Sequence, residues 1–228
     1  LTVRTTFSSP SYRQPEGRQA LPPAWVIEAF REVVSPHISD NLGRHVGARG
    51  LKRFNRSGKL VGTALTVKTR PGDNLFIYKA MTLIQPGHVL VIDAQGDTCN
   101  AVIGELIKLY AQQRGCVGFV VNGAIRDVAS FDSTPCYALD VVHCGPYKSG
   151  PGEINVPVCI GGMLVQPGDI LVGDEDGLVA FPQEHAQALL EAAARHAAHE
   201  DEIKAEIATG NLRQSWLDRV LDQHGLAS

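Results

Sequence analysis

At 228 residues and 44% hydrophobic composition, the chain is long enough for one substantial core and reads as a single domain. A net charge of -3 with no Lys/Arg cluster gives no electrostatic footprint for nucleic acid or an anionic membrane, so the expected partner is a small molecule or a protein. No apolar run approaches the roughly 18 to 20 residues of a membrane span, and no charged stretch followed by an apolar one opens the sequence, so a cytoplasmic protein is expected.

Residues 1–23 are polar and proline-bearing, the composition of an arm that lies on the body or on a neighbouring subunit. From Pro22, the residues Trp25, Val26, Ala29, Phe30, Val33 and Val34 recur at helical spacing, and this helix is expected to end before Pro36. Val61, Leu65 and Val67 mark a strand, and a short helix is expected after Arg-Pro-Gly-Asp-Asn at 70–74. Two segments then echo each other, Gln-Pro-Gly-His-Val-Leu-Val-Ile-Asp at 85–93 and Gln-Pro-Gly-Asp-Ile-Leu-Val-Gly-Asp at 166–174; each reads as a type II turn followed by a buried strand. Between them, a strand at 88–93, a helix through Ile103–Gly115 and a strand at 116–123 predict a parallel pair with a right-handed crossover. Short strands follow Pro135 and close on a hairpin at Asp176-Gly177. An Ala-rich helix from about 183 to 208, then a C-terminal helix carrying Leu212, Trp216, Val220 and Leu221, complete the pattern. The expected class is α/β with a mixed sheet.

The five cysteines, Cys99, Cys116, Cys136, Cys144 and Cys159, form no Cys-x-x-Cys pair and are expected as reduced thiols, mostly in the core. His143-Cys144 suggests a thiol-imidazole pair, but neighbours in an extended strand point to opposite faces. His196 and His199, beside Glu200, could share a helix face and bind a metal, although alternation with charges on an Ala-rich helix reads as a solvated surface. Gly-Asp-Glu-Asp-Gly at 173–177 lacks the spaced ligands of a calcium loop and reads as a turn. Arg126-Asp127 differs, because the pair follows an apolar strand and an Asn-Gly, where α/β sheets place ligands. Asp suits a hard divalent cation and Arg is a planar fork for carboxylate or enolate oxygens. The competing reading is an Asp cap with a surface Arg.

Upstream, Gly104-Glu105-Leu106-Ile107 opens a helix whose N-terminus offers free N–H groups and a positive dipole end. Twenty residues separate Glu105 from Arg126. With Asn122-Gly-Ala-Ile-Arg-Asp127, residues 154–158 (Ile-Asn-Val-Pro-Val) and residues 165–182, the chain resembles the family of 4-hydroxy-4-methyl-2-oxoglutarate/4-carboxy-4-hydroxy-2-oxoadipate aldolases and RraA-like regulators of ribonuclease activity. The likeness runs from about Ile38 to Gly210 and implies a domain over residues 24–210, a single α/β/α sandwich with a mixed central sheet similar to the swivelling phosphohistidine-domain fold, followed by a C-terminal helix at 211–228.

The resemblance also implies chemistry: a class II pyruvate aldolase with oxaloacetate decarboxylation as a side reaction, using a divalent metal, Mg²⁺ or alternatively Mn²⁺. Arg126 would contact the pyruvyl group and steady its enolate, Asp127 would ligate the metal, and Gly104, Glu105, Leu106 and Ile107 would form the substrate-binding loop. Glu105 would act on the metal through water and on the reaction as an acid-base group. A homotrimer or hexamer is implied, with Glu200 or Glu202 of a neighbouring subunit approaching the site. Aldolases of the family carry Asp where this chain has Glu105, one methylene longer. The ribonuclease regulators carry Gly at that position, and a further Gly where this chain has Ser130, which favours the enzyme over the protein-binding regulator.

Overall fold

The computed structural model describes residues 20–212 and 214–226. The arm expected over residues 1–23 therefore lies, as far as residue 19, outside the described residues. The first helix is shorter than expected: α1 spans Ala24–Arg31 and leaves Val33 and Val34 outside it, and a second, unexpected helix, α2, spans Ser35–Asn41 with Pro36 in its first turn. Pro36 thus begins a helix as well as ending the preceding apolar period, as its missing N–H permits. A short β1 (Lys52–Arg53) precedes β2 (Leu60–Thr69), and α3 (Leu75–Met81) leads to β3 (His88–Asp93). Next come β4 (Ala101–Ile103), α4 (Glu105–Gln112) and β5 (Gly118–Ile125). A 3₁₀ turn at Val128–Phe131 leads to β6 (Cys136–Val141), β7 (Gly152–Ile154), β8 (Val158–Ile160) and β9 (Met163–Val165). The hairpin of β10 (Ile170–Gly173) and β11 (Leu178–Phe181) is followed by α5 (Ala186–Ala208) and α6 (Ser215–Gln223).

The main sheet runs β1-β6-β5-β3-β2-β10-β11, with β4 beside β5 and β7 beside β2. The central pairs β2-β3, β3-β5 and β5-β6 are parallel, whereas β2-β10 and β10-β11 are antiparallel, so the expected α/β mixed sheet is present. Alternation divides the strand side chains between two faces. Leu90 and Ile92 pack with Ile77, Ala80, Ile107 and Ala111 of α3 and α4, while Val89 and Val91 pack with Val158, Ile160 and Met163 of the β8-β9 hairpin. At the far end, Phe30, Ile38 and Leu189 of α1, α2 and α5 cover Val172, Val179 and Phe181.

The two echoing segments flank β2 and use one local device. Gly87 and Gly168 have φ of 95° and 88°, the left-handed position that a type II turn requires. In each turn, the residue after Gly accepts the N–H of the first Gln through its side chain, His88 Nδ1 at 3.1 Å and Asp169 Oδ2 at 2.8 Å. The terminal Asp174 of the second segment is buried and accepts the Ser35 N–H and hydroxyl at 2.7 and 2.6 Å. The acidic run at 173–177 is thus a hairpin turn that also fixes the start of α2.

The cysteine expectation is corrected: Cys116 and Cys136 are buried thiols, but Cys99, Cys144 and Cys159 are exposed. His143 and Cys144 lie past the end of β6, free of strand alternation, and His143 Nε2 approaches Cys144 Sγ at 3.6 Å. Among the described residues, no helix is long and apolar enough to cross a membrane.

Candidate active site

The parallel register of β5 beside β3 and β4 places Arg126 and Asp127 at the carboxyl end of β5, next to the start of α4. Arg126 N–H donates to Ile103 O at 3.0 Å, tying the two strand ends together. Asp127 then takes the left-handed conformation, φ 55° and ψ 39°, which Asp adopts at lower cost than most side chains. That turn sends its carboxylate back to α4, where Oδ2 accepts the Glu105 N–H at 3.0 Å. Asp127 is therefore a cap after all, placed at the positive end of the neighbouring helix. The two readings of the pair coexist, since the capping bond uses one carboxylate oxygen and leaves Oδ1 without a bond among the described residues.

Gly104 allows this approach. A Cβ at residue 104 would lie 2.5 Å from Asp127 Oδ2 and 2.9 Å from Arg126 Cγ, so any larger residue would push the acid and the helix start apart. Arg126 Nε stands 3.8 Å from Asp127 Oδ2, beyond hydrogen-bond reach. Their side chains are 43% and 48% exposed, and each keeps its fork or its second oxygen for another partner. Lys108, by contrast, is buried and donates to Ser130 O, supporting the 3₁₀ turn from below.

Arg126, Asp127, Glu105, Leu106 and Ile107 line one open pocket of about 170 Å³ together with Gly104, so the structure brings together the residues singled out around the Arg-Asp pair. Sequence reasoning missed three polar residues in the lining, Asn74, Tyr78 and Lys148. Asn74 Nδ2 donates to Val102 O at 3.1 Å, while its buried Oδ1 has no partner. Such an unmet buried acceptor is uncommon and marks this wall of the pocket as polar. The Asp73-Asn74 pair at a helix start was the one available signal; Lys148 offered none.

A hard divalent cation fits this donor set. Mg²⁺ is commonly held by one or two carboxylates and otherwise by water, and here one half-exposed carboxylate, oriented by its own hydrogen bond, faces the pocket with Glu105 beside it.

Glu200 and Glu202 do not line the pocket of their own chain. Glu200 meets His37 Nε2 at 3.2 Å and His196 Nε2 at 3.4 Å, and the His37 contact holds its carboxyl below the usual range. Glu202 is exposed and lies 3.6 Å from His199. His196 is therefore joined by His37 of α2 rather than by His199.

The curled mixed sheet, with an Arg-Asp turn capping a Gly-Glu helix start, defines an RraA-like protein, and the chain belongs to that family: the Aldolase/RraA family model matches residues 35–180. A Halalkalibacterium halodurans protein with the provisional name 4-hydroxy-4-methyl-2-oxoglutarate aldolase is 34% identical over 86% of this chain and 95% of its own length. A Thermus thermophilus protein named 4-hydroxy-4-methyl-2-oxoglutarate aldolase is 32% identical over 58% of this chain and 81% of its own. Among solved structures, a Streptomyces coelicolor protein described as an unusual member of the RNase ES inhibitor RraA family superposes with a TM-score of 0.73 at 26% identity, covering 81% of this chain and 99% of that one.

Proposed function

We propose that this protein is a divalent-metal-dependent pyruvate aldolase that cleaves 4-hydroxy-2-oxo acids such as 4-hydroxy-4-methyl-2-oxoglutarate or 4-carboxy-4-hydroxy-2-oxoadipate, with oxaloacetate decarboxylation as a side activity. The observation that carries the reading is the Asp127 carboxylate, aimed into the pocket by its bond to the Glu105 N–H beside an unpaired Arg126 fork. The names of the relatives favour the same chemistry.

Asp127 would hold Mg²⁺, or alternatively Mn²⁺, with Glu105 reaching it through water; when bound, the ion supplies Lewis-acid polarisation of the 2-oxo group. The Leu106 and Ile107 N–H groups lack intrahelical acceptors and receive the substrate carboxylate at the positive end of α4. Water oriented by Glu105 takes the C4 hydroxyl proton. The C3–C4 electron pair then moves to the C2 carbonyl, giving the enolate of pyruvate and a new carbonyl at C4. Arg126 donates to the enolate oxygen as charge builds there, and protonation at C3 releases pyruvate. Loss of CO₂ from oxaloacetate passes through the same enolate, hence the side activity. Of Glu200 and Glu202, we propose that Glu202 of a neighbouring subunit reaches the open side of the pocket in a homotrimer or hexamer, because Glu200 meets His37, His196 and Lys204 in its own chain whereas the exposed Glu202 meets His199 at 3.6 Å.

The test is pyruvate release from 4-hydroxy-4-methyl-2-oxoglutarate and from oxaloacetate. Turnover that is lost with EDTA and restored by Mg²⁺ is expected. Turnover indifferent to EDTA removes the metal, and no turnover of either acid removes the aldolase. The likeness to the Streptomyces coelicolor structure supports a second reading, a protein-binding regulator of ribonuclease activity, which inhibition of a ribonuclease by a catalytically silent protein would favour.

A further inference from the structure

Away from the pocket, two imidazoles and a carboxylate converge where α2 packs on α5. His37 and Asp40 stand three apart on α2, and His196 and Glu200 four apart on α5, so each pair shares one helix face. Glu200 Oε2 lies 3.2 Å from His37 Nε2, and Glu200 Oε1 lies 3.4 Å from His196 Nε2. Asp40 Oδ2 is 3.9 Å from the same His196 nitrogen. The two rings are stacked at 4.6 Å with 22° between their planes, and each meets one oxygen of the same carboxylate through its Nε2. One donor atom from each of His37, His196 and Glu200 lies within 4.8 Å of the other two. Ligand atoms around a tetrahedral Zn²⁺ stand about 3.3 Å apart for metal-ligand bonds of roughly 2.0 to 2.1 Å. Each imidazole nitrogen stands at about that distance from its own Glu200 oxygen, so side-chain rotations would bring the three donors onto one ion.

We propose that His37, His196 and Glu200 form a second metal site, selective for a borderline first-row ion of the Zn²⁺ type, with Asp40 or water in the fourth position. Two imidazoles with a carboxylate suit Zn²⁺, whereas the carboxylate donors at Asp127 and Glu105 suit Mg²⁺, so the two sites would sort different metals. The side chains of His37 and His196 are 13% and 28% exposed, close enough to solvent for an ion to enter and packed enough to hold their rotamers. The site has a mechanical consequence. The buried residues of α5 are Ala186, Leu189 and Ala193, all in its first half, so an ion at His196 and Glu200 clips the helix to α2 just beyond the point where apolar packing stops. α2 is itself fastened to the β10-β11 turn through Ser35 and Asp174.

The experiment uses the full chain carrying Asp127→Asn, so that metal at the pocket does not contribute, stripped with chelator and then given Zn²⁺ or Co²⁺ alone. One equivalent of Zn²⁺ per chain retained after desalting, visible Co²⁺ bands displaced by Zn²⁺ but not by Mg²⁺, and a melting temperature raised by Zn²⁺ are expected. Adding His37→Gln with His196→Gln should remove all three signals, with circular dichroism reporting the fold. Should that triple variant fail to fold, the isosteric Glu200→Gln tests the same site and is expected to weaken Zn²⁺ binding by about tenfold or more. Absence of Zn²⁺ in the Asp127→Asn protein, or an unchanged equivalent in folded His37→Gln/His196→Gln or Glu200→Gln protein, overturns the proposal. Pyruvate release plays no part in these readouts, so the second site stands or falls apart from the aldolase reading.

Discussion

At the scale of single residues, one substitution separates the observed capping bond of Asp127 from the metal ligation proposed for it. Asp127→Asn keeps an oxygen to accept the Glu105 N–H, and Asn tolerates the left-handed conformation, so the fold is expected to survive. A neutral amide is a poor ligand for a hard cation, so Mg²⁺ affinity should fall by more than about 100-fold and Mg²⁺-dependent pyruvate release should vanish. Unchanged turnover would take Asp127 out of the metal site. Arg126 stands 3.8 Å from Asp127, beyond hydrogen-bond reach, which leaves its fork available for the enolate contact proposed above. Arg126→Lys and Arg126→Ala should lower turnover by about 10² to 10³ while Mg²⁺ titration midpoints barely move. A loss rescued by added Mg²⁺ would assign Arg126 to metal binding instead. Gly104→Ala touches no reacting group, yet its Cβ would stand 2.5 Å from Asp127 Oδ2. Displacing the acid by such a margin should cost at least about 10² in turnover and, with the capping bond, about 1 kcal/mol of stability; wild-type activity in that variant would show that the capping distance is not needed. Arg126, Asp127 and Gly104 were legible because they abut one strand and one helix start in sequence. Asn74 and Lys148 were not, because their place depends on tertiary bonds: Asn74 to Val102 O, and the loop of Lys148 through Ser149 and Gly150 N–H groups donating to buried Asp73 at 2.7 and 3.0 Å.

Secondary elements were legible wherever apolar periodicity ran long, as in β2, β3, β5 and α5, and illegible where an element is held by something distant. β4 has three residues and exists through its pairing with β5; α2 has seven, and its first turn is fixed by Asp174 from the β10-β11 hairpin. The paired Gln-Pro-Gly turns show the reverse case, a local motif that carries its own hydrogen bond into either a parallel or an antiparallel partner of β2. This gives the turn before β3 a pH dependence. His88 accepts the Gln85 N–H through Nδ1 and is buried, and burial lowers its pKa below the ordinary value of 6.5. A depressed folded pKa means that the unfolded chain takes up the proton first. The contribution of His88 is therefore fully present above about pH 6.5 and is lost progressively as pH falls toward the lower folded value. His88→Asn keeps an acceptor near the Nδ1 position and removes the titration, so its denaturant stability should change less than that of the wild type as pH falls from about 7.5 to about 5.5, one unit either side of the ordinary imidazole value. Equal slopes in the two proteins would show that His88 is charged as easily when folded as when unfolded.

At the scale of the molecule, large apolar side chains stand exposed among the described residues. Ile203 and Ile207 on the second half of α5, and Trp216 and Val220 one turn apart on α6, are exposed, as are Leu106, Leu109 and Tyr110 on the helix that starts at the pocket. Burying a side chain of this size contributes about 1.5 to 3 kcal/mol, so a few of them suffice for association at micromolar concentration once the cost of docking is met. The proposed homotrimer or hexamer answers both needs at once, covering the α5 and α6 faces of one subunit and bringing Glu202 to the pocket of the next. Sedimentation of the wild-type chain at micromolar concentration should give a trimer or a multiple of one, and Ile207→Asp with Trp216→Asp should move it toward monomer. Pyruvate release should fall in parallel with dissociation, while Mg²⁺ binding at Asp127, which its own chain orients, should persist in the monomer. Glu202→Gln in the intact oligomer should then reproduce the catalytic loss without dissociation. A wild-type monomer would sink the shared site outright, and a fully active dissociated variant would show that each chain completes its own pocket.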